Sequence, residues 1–432
     1  MNVRILPHPL EGTLPAIPSK SMAHRLLICS ALCQGMTDIT CHASSQDIEA
    51  TVRCLAKLGA PAAKTRDGWR MVPVTVGGPR RNARLDVGES GSTLRFLLPV
   101  VAALGTGASI VGHGRLAERP LAPLDEQLAS HGITLTNVGS FPLVVEGKLA
   151  GGGFELPGSV SSQFVSGLLM AAPLMDEDVE VLVSEPVQSK GYIDLTIDSL
   201  ATFGVHVDES LVKQAGTGYR RYFVRGGQQL KTPGALDVEG DWSNAAFWLA
   251  AGTIGPTSVA VNGLNAYSRQ GDRAIMAALS LLGAHVSRGH GLISSTRDHL
   301  RGRTIDVSAI PDLAAPLAAV AAVASGETRL ANAGRLRLKE SDRLETIRAA
   351  LVAMGGNATI EGDDLVIHGV ETLEGGTVDA ANDHRIAMMA AICAAYTTGP
   401  TTICGAECVS KSYPAFLDDF SRLGGITQAC GG

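Results

Sequence analysis

The chain has 432 residues, 45% of them hydrophobic and 4% aromatic, with 50 glycines and a formal net charge of −6 at pH 7. That length exceeds what one core usually sustains, so two domains are expected, and the acidic balance argues against a general polyanion binder, which carries an excess of Lys and Arg. Any anion site must then be assembled locally.

Residues 1–12, MNVRILPHPLEG, lack a basic start leading into an apolar core and a cleavage site, and no apolar run is long enough to span a bilayer. Neither secretion nor membrane insertion is expected. Eight cysteines without the dense spacing of a small secreted scaffold point to reduced thiols and a cytoplasmic setting. Cys29 and Cys33 lie one helical turn apart, as do Cys404 and Cys408. No matching Cys or His pair stands beside either, so buried thiols are preferred to a metal site.

Residues 18–35, PSKSMAHRLLICSALCQG, predict a helix with a charged start, an apolar body and a glycine stop. Similar stretches begin at Gly91, Ser161, Asp241, Pro311 and Asn382. After the first, GMTDITCHAS reads as a strand with Ile39 and Cys41 on one face. The phrase returns in GTGASIVGHG, DEDVEVLVSEP, GPTSVAVNG, GETRLANAG and GPTTICGAE. A second helix follows each time. In the first copy Ile48, Val52, Leu55 and Leu58 share a face ahead of Gly59. The matching stops are Gly132, Gly204, Gly283, Gly355 and Gly424, about 70 residues apart, a period that marks repeated supersecondary units.

Each of the six copies reads helix, strand, helix, strand, strand, the last two being hairpin strands such as FPLVVEG at 141–147. The widest spacing falls between copies three and four, which puts the domain boundary near Val238. The sixth copy ends soon after Gly424 with too few residues for strands of its own, while VRILPHP precedes the first copy without a role. The simplest arrangement lets the N-terminus complete the second domain, giving one domain of residues 18–238 and another of 1–17 with 239–432. Two chain crossings, at 15–19 and 238–241, would then form a hinge.

Helix starts present free N–H groups and a positive dipole end, which suit phosphate and carboxylate. Ser161, Ser162 and Gln163 open one such helix, although an ordinary N-cap reads the same way. GESGSTLRF at 88–96 is a glycine turn that admits a ligand to the backbone, and it lacks the Lys-Ser/Thr ending of a Walker loop. Ser21 and Arg25 lie one turn apart behind Lys20. Lys339, Glu340 and Arg343 crowd a single turn ahead of Leu344, Ile347, Leu351 and Met354, and a surface ion-pair set is the competing reading. Asp312 follows Pro311, and His384 and Arg385 follow Asp383, again compatible with capping. Recurrence of polar starts at equivalent places in six copies favours a site.

These starts spell a family. PSKSMAHR, the GSTLR turn, ERP at 118–120, GSVSSQF, LKESDR, NDHRIAM and KSYP at 411–414 together resemble the 5-enolpyruvylshikimate-3-phosphate synthase family over nearly the whole chain. The resemblance implies an α/β fold of two domains, each an inside-out α/β barrel of three βαβαββ units, with an open-to-closed motion and the active site in the interdomain cleft. It also implies transfer of an enolpyruvyl group from phosphoenolpyruvate to shikimate 3-phosphate, with release of inorganic phosphate and with no metal or organic cofactor. The first domain would mainly bind shikimate 3-phosphate. Carried over by motif, Ser161, Ser162 and Ser189 would hold its phosphate, with Lys20, Ser21, Arg25, Gln163, Tyr192, Asp312, Arg335 and Lys339 orienting the rest. Lys20, Arg119, Gln163, Arg343, Arg385, Lys411 and the Gly91 backbone would hold phosphoenolpyruvate. Asp312 would be the base at the 5-hydroxyl and Glu340 would serve the proton at C3, assisted by Lys20 and His384.

Two departures stand out. The turn commonly written GNAGTAMRP is GESGSTLRF here, so Glu89 adds an acid and Phe96 replaces a proline, and Arg335 stands where many relatives have Asn. Contacts at 89 and 335, and the response to inhibitors that mimic phosphoenolpyruvate, are therefore open questions. One rival is the related transferase acting on UDP-N-acetylglucosamine, which has a Lys-Asn pair at the first helix and a loop cysteine. Here Ser21 follows Lys20, and GHGRLAERP has no cysteine. A second rival, an RNA-end-binding or non-catalytic repeat protein, is disfavoured by net acidity and few aromatics for stacking, so no nucleic-acid or membrane partner is expected. With no coiled-coil pattern, a monomer is expected.

Overall fold

Six apolar stretches form helices with no solvent face: Lys20–Leu32, Gly91–Leu104, Ser162–Ala171, Trp242–Ile254, Ala314–Ala321 and His384–Ala394. All thirteen residues of the Trp242 helix are buried, and a helix apolar all round belongs at the centre of a core. Helices such as Gln46–Leu58 are two-faced instead, burying Ile48, Cys54, Leu55 and Leu58 while Lys57 stays exposed. The six stop glycines all have positive φ, from 78° to 109°, the left-handed geometry that ends a helix at low cost only when glycine supplies it.

In this computed structural model, which describes residues 1–289 and 291–430, the chain divides into two units, Met1–Ser19 with Glu239–Gly432 and Lys20–Val238. Each has its own core. Trp242, Trp248, Phe247 and Phe416 anchor the first, where the Trp248 and Phe416 rings stack at 4.7 Å. Phe96, Phe154, Phe164 and Phe203 anchor the second.

Among the described residues each unit surrounds three buried helices with three four-stranded sheets, all six of one design. An edge strand pairs in parallel with its neighbour, as Ala83–Asp86 does with Ala108–Val111, and two antiparallel strands complete the sheet. The strands alternate in burial, Val3 and Ile5 facing inward and Arg4 outward, so each sheet has one wet face.

Both units close through strands distant in sequence. Ala235–Asp237, after the third copy, pairs with Thr37–Thr40 of the first, and Gly12–Pro15 pairs with Val259–Asn262 of the fourth. Asn2–Leu6 lies between Thr401–Cys404 and Ile426–Cys430. The sixth copy therefore does have a terminal strand of its own, contrary to the expectation from its length. Five residues after Gly424 suffice because Asn2–Leu6 gives them an antiparallel partner.

The crossing segments lie side by side, Ser19 N donating to Glu239 O at 2.7 Å and Asp241 N to Ile17 O at 2.8 Å. Gln270, 3% exposed, holds both: its Oε1 accepts from Ser19 Oγ and Trp242 N, and its Nε2 donates to Glu239 Oε1 and Gly240 O. No helix of the described residues is long and apolar enough to cross a membrane. Burial raises the Cys29, Cys41, Cys54, Cys393 and Cys408 thiols to about 12, which leaves them unreactive at neutral pH.

Candidate active site

In the Lys20–Val238 unit the polar residues gather at the N-terminal ends of the buried helices. Lys20 begins its helix and pairs with Asp47 at 2.8 Å, both largely shielded. Arg25, 2% exposed, meets no carboxylate among the described residues. Its Nε donates to Thr196 Oγ1 at 2.7 Å, Nη1 to Ser21 O at 2.6 Å, and Nη2 to Tyr192 O at 2.7 Å and Ser166 Oγ at 3.2 Å. Burial lowers its pKa to about 10. The Phe96 ring lies 4.9 Å from the guanidinium, so the residue standing in place of the usual proline supports Arg25.

Ser161 caps the Ser162–Ala171 helix by accepting from Gln163 N at 3.3 Å. Gln163 then bridges two elements, Oε1 accepting from Arg95 Nη1 at 2.9 Å and Nε2 donating to Ser92 Oγ at 2.8 Å. Arg119 lies across the start of the Gly91 helix. A Cβ on Gly91 would meet its guanidinium at 2.8 to 2.9 Å, so glycine is what lets the cation approach this backbone. Glu89 folds onto the loop that carries Arg119, its Oε2 within 2.6 Å of where a Cβ of Gly114 would sit. Ser189, at φ 56°, precedes the Lys190–Thr202 helix in a left-handed conformation uncommon for serine.

Beneath Lys20 runs a buried relay. His24 Nδ1 bonds Thr51 Oγ1 at 2.7 Å, Thr51 bonds Thr93 Oγ1 at 2.7 Å, and Thr93 donates to Ser90 Oγ at 2.8 Å. Burial, then the charges of Lys20 and Arg25, hold His24 well below its usual pKa, so the imidazole is neutral.

The other unit assembles a denser cluster at the starts of its helices. Asp312 sits in the turn Pro311–Leu313, Glu340 just before the Arg343–Ala353 helix, and His384 and Arg385 in the first turn of theirs. Arg343, 1% exposed, reaches three carboxylates: Asp312 Oδ1 at 3.0 Å, Glu340 Oε2 at 2.5 Å, and Asp383 through Nε–Oδ2 at 2.9 Å and Nη2–Oδ1 at 3.3 Å. These partners outweigh burial and raise its pKa. Asp312 also meets Arg385 at 3.2 Å and Lys339 at 3.4 Å. Against the upward push of burial, Arg385, Lys339 and Arg343 hold its carboxyl well below the usual range. Burial brings Lys339 down to about 8 despite Asp312. Arg335, part-buried in the turn Gly334–Leu338, is lowered by burial and countered by the Asp312 charge. Lys411 is 7% exposed and donates to Asn382 O at 2.6 Å.

Asp383 was expected only as a cap. It does cap, accepting from Arg385 N at 3.0 Å, but it also accepts from Ser341 Oγ at 3.0 Å while gripping Arg343, and it is fully buried. The chain enters it through Ala381 and Asn382, at φ 50° and 55°, a strained pair of left-handed residues of the kind that concentrates at functional sites. Asp47, Ser92, Arg95, Asp383 and the His24 relay thus join the residues expected from sequence. Ten of those fall in the Lys20–Val238 unit, namely Lys20, Ser21, Arg25, Gly91, Arg119, Ser161, Ser162, Gln163, Ser189 and Tyr192, and the others in its partner.

A family model described as EPSP synthase (3-phosphoshikimate 1-carboxyvinyltransferase) matches residues 6–420. A Clostridium kluyveri protein named 3-phosphoshikimate 1-carboxyvinyltransferase is 42% identical over 431 residues, covering 98% of this chain and 97% of that protein. One of the same name from Clostridium acetobutylicum is 38% identical over 430 residues, with 98% and 97% covered. Among solved structures, an EPSP synthase from Acinetobacter baumannii is similar at a TM-score of 0.79 and 25% identity, covering 99% of this chain and all of that one.

Proposed function

The chain belongs to the EPSP synthase family, and on that premise we propose that it transfers the enolpyruvyl group of phosphoenolpyruvate to the 5-hydroxyl of shikimate 3-phosphate, releasing inorganic phosphate. The observation that carries the mechanism is the pair of carboxylates, Asp312 and Glu340, bound to one buried guanidinium. The substrate oxygen adds to C2 as its proton passes to Asp312, and C3 takes a proton from Glu340, which carries one in the complex with both substrates. The C2–O bond to phosphate then breaks as C3 returns a proton to Glu340. Asp312 is a weak base while Arg385 and Lys339 face it. Once those cations turn to substrate anions its proton affinity rises, which couples binding to base strength. Lys20 and His384 assist the proton transfers.

Ser161, Ser162 and Ser189 hold the phosphate of shikimate 3-phosphate, and Ser21, Arg25, Gln163, Tyr192, Arg335 and Lys339 orient the rest. Lys20, Arg119, Arg343, Arg385, Lys411 and the Gly91 backbone address phosphoenolpyruvate. Two multiply charged substrates repel each other, and each opposing charge at ion-pair distance offsets about 4 kcal/mol at a surface-like dielectric before desolvation. The UDP-N-acetylglucosamine alternative is not favoured, since relatives across the full length carry the shikimate name. The protein is read as a cytoplasmic monomer.

The test is phosphate release from phosphoenolpyruvate with shikimate 3-phosphate, beside a mixture with UDP-N-acetylglucosamine and an Asp312→Ala control. Release only with the shikimate acceptor, lost in the variant, is expected. Release with neither acceptor overturns the assignment.

A further inference from the structure

In the unit that holds Asp312, at the C-terminal ends of the Trp242 and His384 helices, lies a cavity of about 370 Å³ with no assigned role. It opens where the Trp242 helix ends at Ile254 and the His384 helix ends at Ala394, and Pro7, Pro9 and Pro256 line it beside Tyr396. One wall is fixed, because the Tyr396 ring lies so close over Gly255 that a Cβ there would meet it at 2.4 Å.

Its hydrogen-bonding groups are out of balance. Carbonyls at the two helix ends are already occupied: Ile254 O by Arg297 Nη1 at 2.9 Å, Ala394 O by Thr397 Oγ1 at 3.0 Å, and Ala395 O by His8 N at 3.0 Å. The donors are not. Among the described residues Arg297 uses a single N–H, leaving the rest of its guanidinium open, and the Tyr396 hydroxyl accepts from Leu10 N at 3.2 Å but has no acceptor for its own proton. Among the described residues no Asp or Glu lines the cavity. Surplus donors around one cation call for an anion, and three proline rings with one aromatic ring call for a flat apolar body. The volume lies within the range of small-molecule sites.

We propose that this cavity binds a small carboxylate with a flat apolar body, the carboxylate meeting Arg297 and the Tyr396 hydroxyl and the body packing among Pro7, Pro9 and Pro256. The helix C-termini oppose a negative charge. Arg297 answers that opposition by capping one of them.

Isothermal titration of the full chain with benzoate, benzamide and inorganic phosphate tests this. Benzoate is expected to bind in the millimolar range usual for so few atoms, with benzamide at least about tenfold weaker because it lacks the charge. Arg297→Gln should weaken benzoate about tenfold and Tyr396→Phe about threefold, while Arg385→Gln leaves it unchanged. Arg297 is exposed and makes one hydrogen bond, so its variant should fold. Phosphate binding that equals benzoate in affinity and is weakened alike by Arg297→Gln, loss of benzoate binding in Arg385→Gln but not in Arg297→Gln, or no benzoate binding at about 20 mM would each overturn the proposal.

Discussion

Asp383 offers the sharpest test of how the cluster around Arg343 is built. Both partners of that pair are buried, at 1% and 0% exposure, and they meet through two contacts. Removing one member of a buried pair costs about 3 to 5 kcal/mol, and the low end applies because Asp312 and Glu340 continue to neutralise Arg343. Asp383→Asn keeps one oxygen to cap Arg385 N, but its amide NH2 stands where Oδ2 accepts from Ser341 and Arg343, so its expected loss is about 3 kcal/mol. Asp383→Ala removes the cap as well and should lose about 2 kcal/mol more. Trp242 and Trp248 lie in this unit, while Trp69 lies in the other. A Trp69→Phe background therefore lets tryptophan fluorescence follow urea unfolding of this unit alone. An Asn variant within about 1 kcal/mol of its parent would refute the view that charge at Asp383 holds Arg343.

Gly91→Ala places a methyl against the Arg119 guanidinium, the far end of a flexible side chain. Little stability should be lost, but the KM for phosphoenolpyruvate should rise at least about tenfold with a smaller change in kcat. Lys339, at about 8 in the folded chain against 10.5 unfolded, gives opposite pH signatures in activity and stability. Between those values the unfolded chain binds the extra proton, so the Lys339 contribution to stability rises with pH while kcat/KM falls through about 8. Lys339→Arg should remove that limb from the pH profile. Thr51→Val breaks the relay from His24 to Thr93 and leaves a buried imidazole nitrogen without its partner. It should cost about 2 kcal/mol in unfolding followed by Trp69.

The repeat was legible because each copy ends a helix at a glycine of positive φ, and only glycine takes that geometry readily. The closing strands were harder to see. Ala235–Asp237 has three residues, too few for an alternating pattern, and its partner strand lies some two hundred residues earlier in the chain. Site residues at helix starts announced themselves by position. Asp47 and Arg95 also lie near helix starts, but their roles come from pairing with Lys20 and Gln163 on other helices, contacts that leave no trace in the local sequence. Asp383 was visible as a cap, yet nothing local distinguishes a cap that also grips an arginine forty residues away.

Two of the buried arginines, Arg343 and Arg25, show opposite ways of preparing a cation. Arg343 is matched by three carboxylates, so its charge is largely answered within the protein, and it holds Asp312 and Glu340 in place. Arg25 is surrounded by hydroxyl and carbonyl oxygens and an aromatic face, with no carboxylate among its partners. Burial pulls its pKa down rather than up, the mark of a charge still seeking compensation. A substrate dianion that approaches Arg25 supplies what the fold withholds, whereas one that approaches Arg343 must compete with carboxylates already in place. Replacement by Lys should therefore differ at the two sites. Arg25→Lys keeps the unanswered charge but loses the fork that fits four oxygens, so KM for shikimate 3-phosphate should rise more than stability falls. Arg343→Lys cannot span three carboxylates, and stability should fall first.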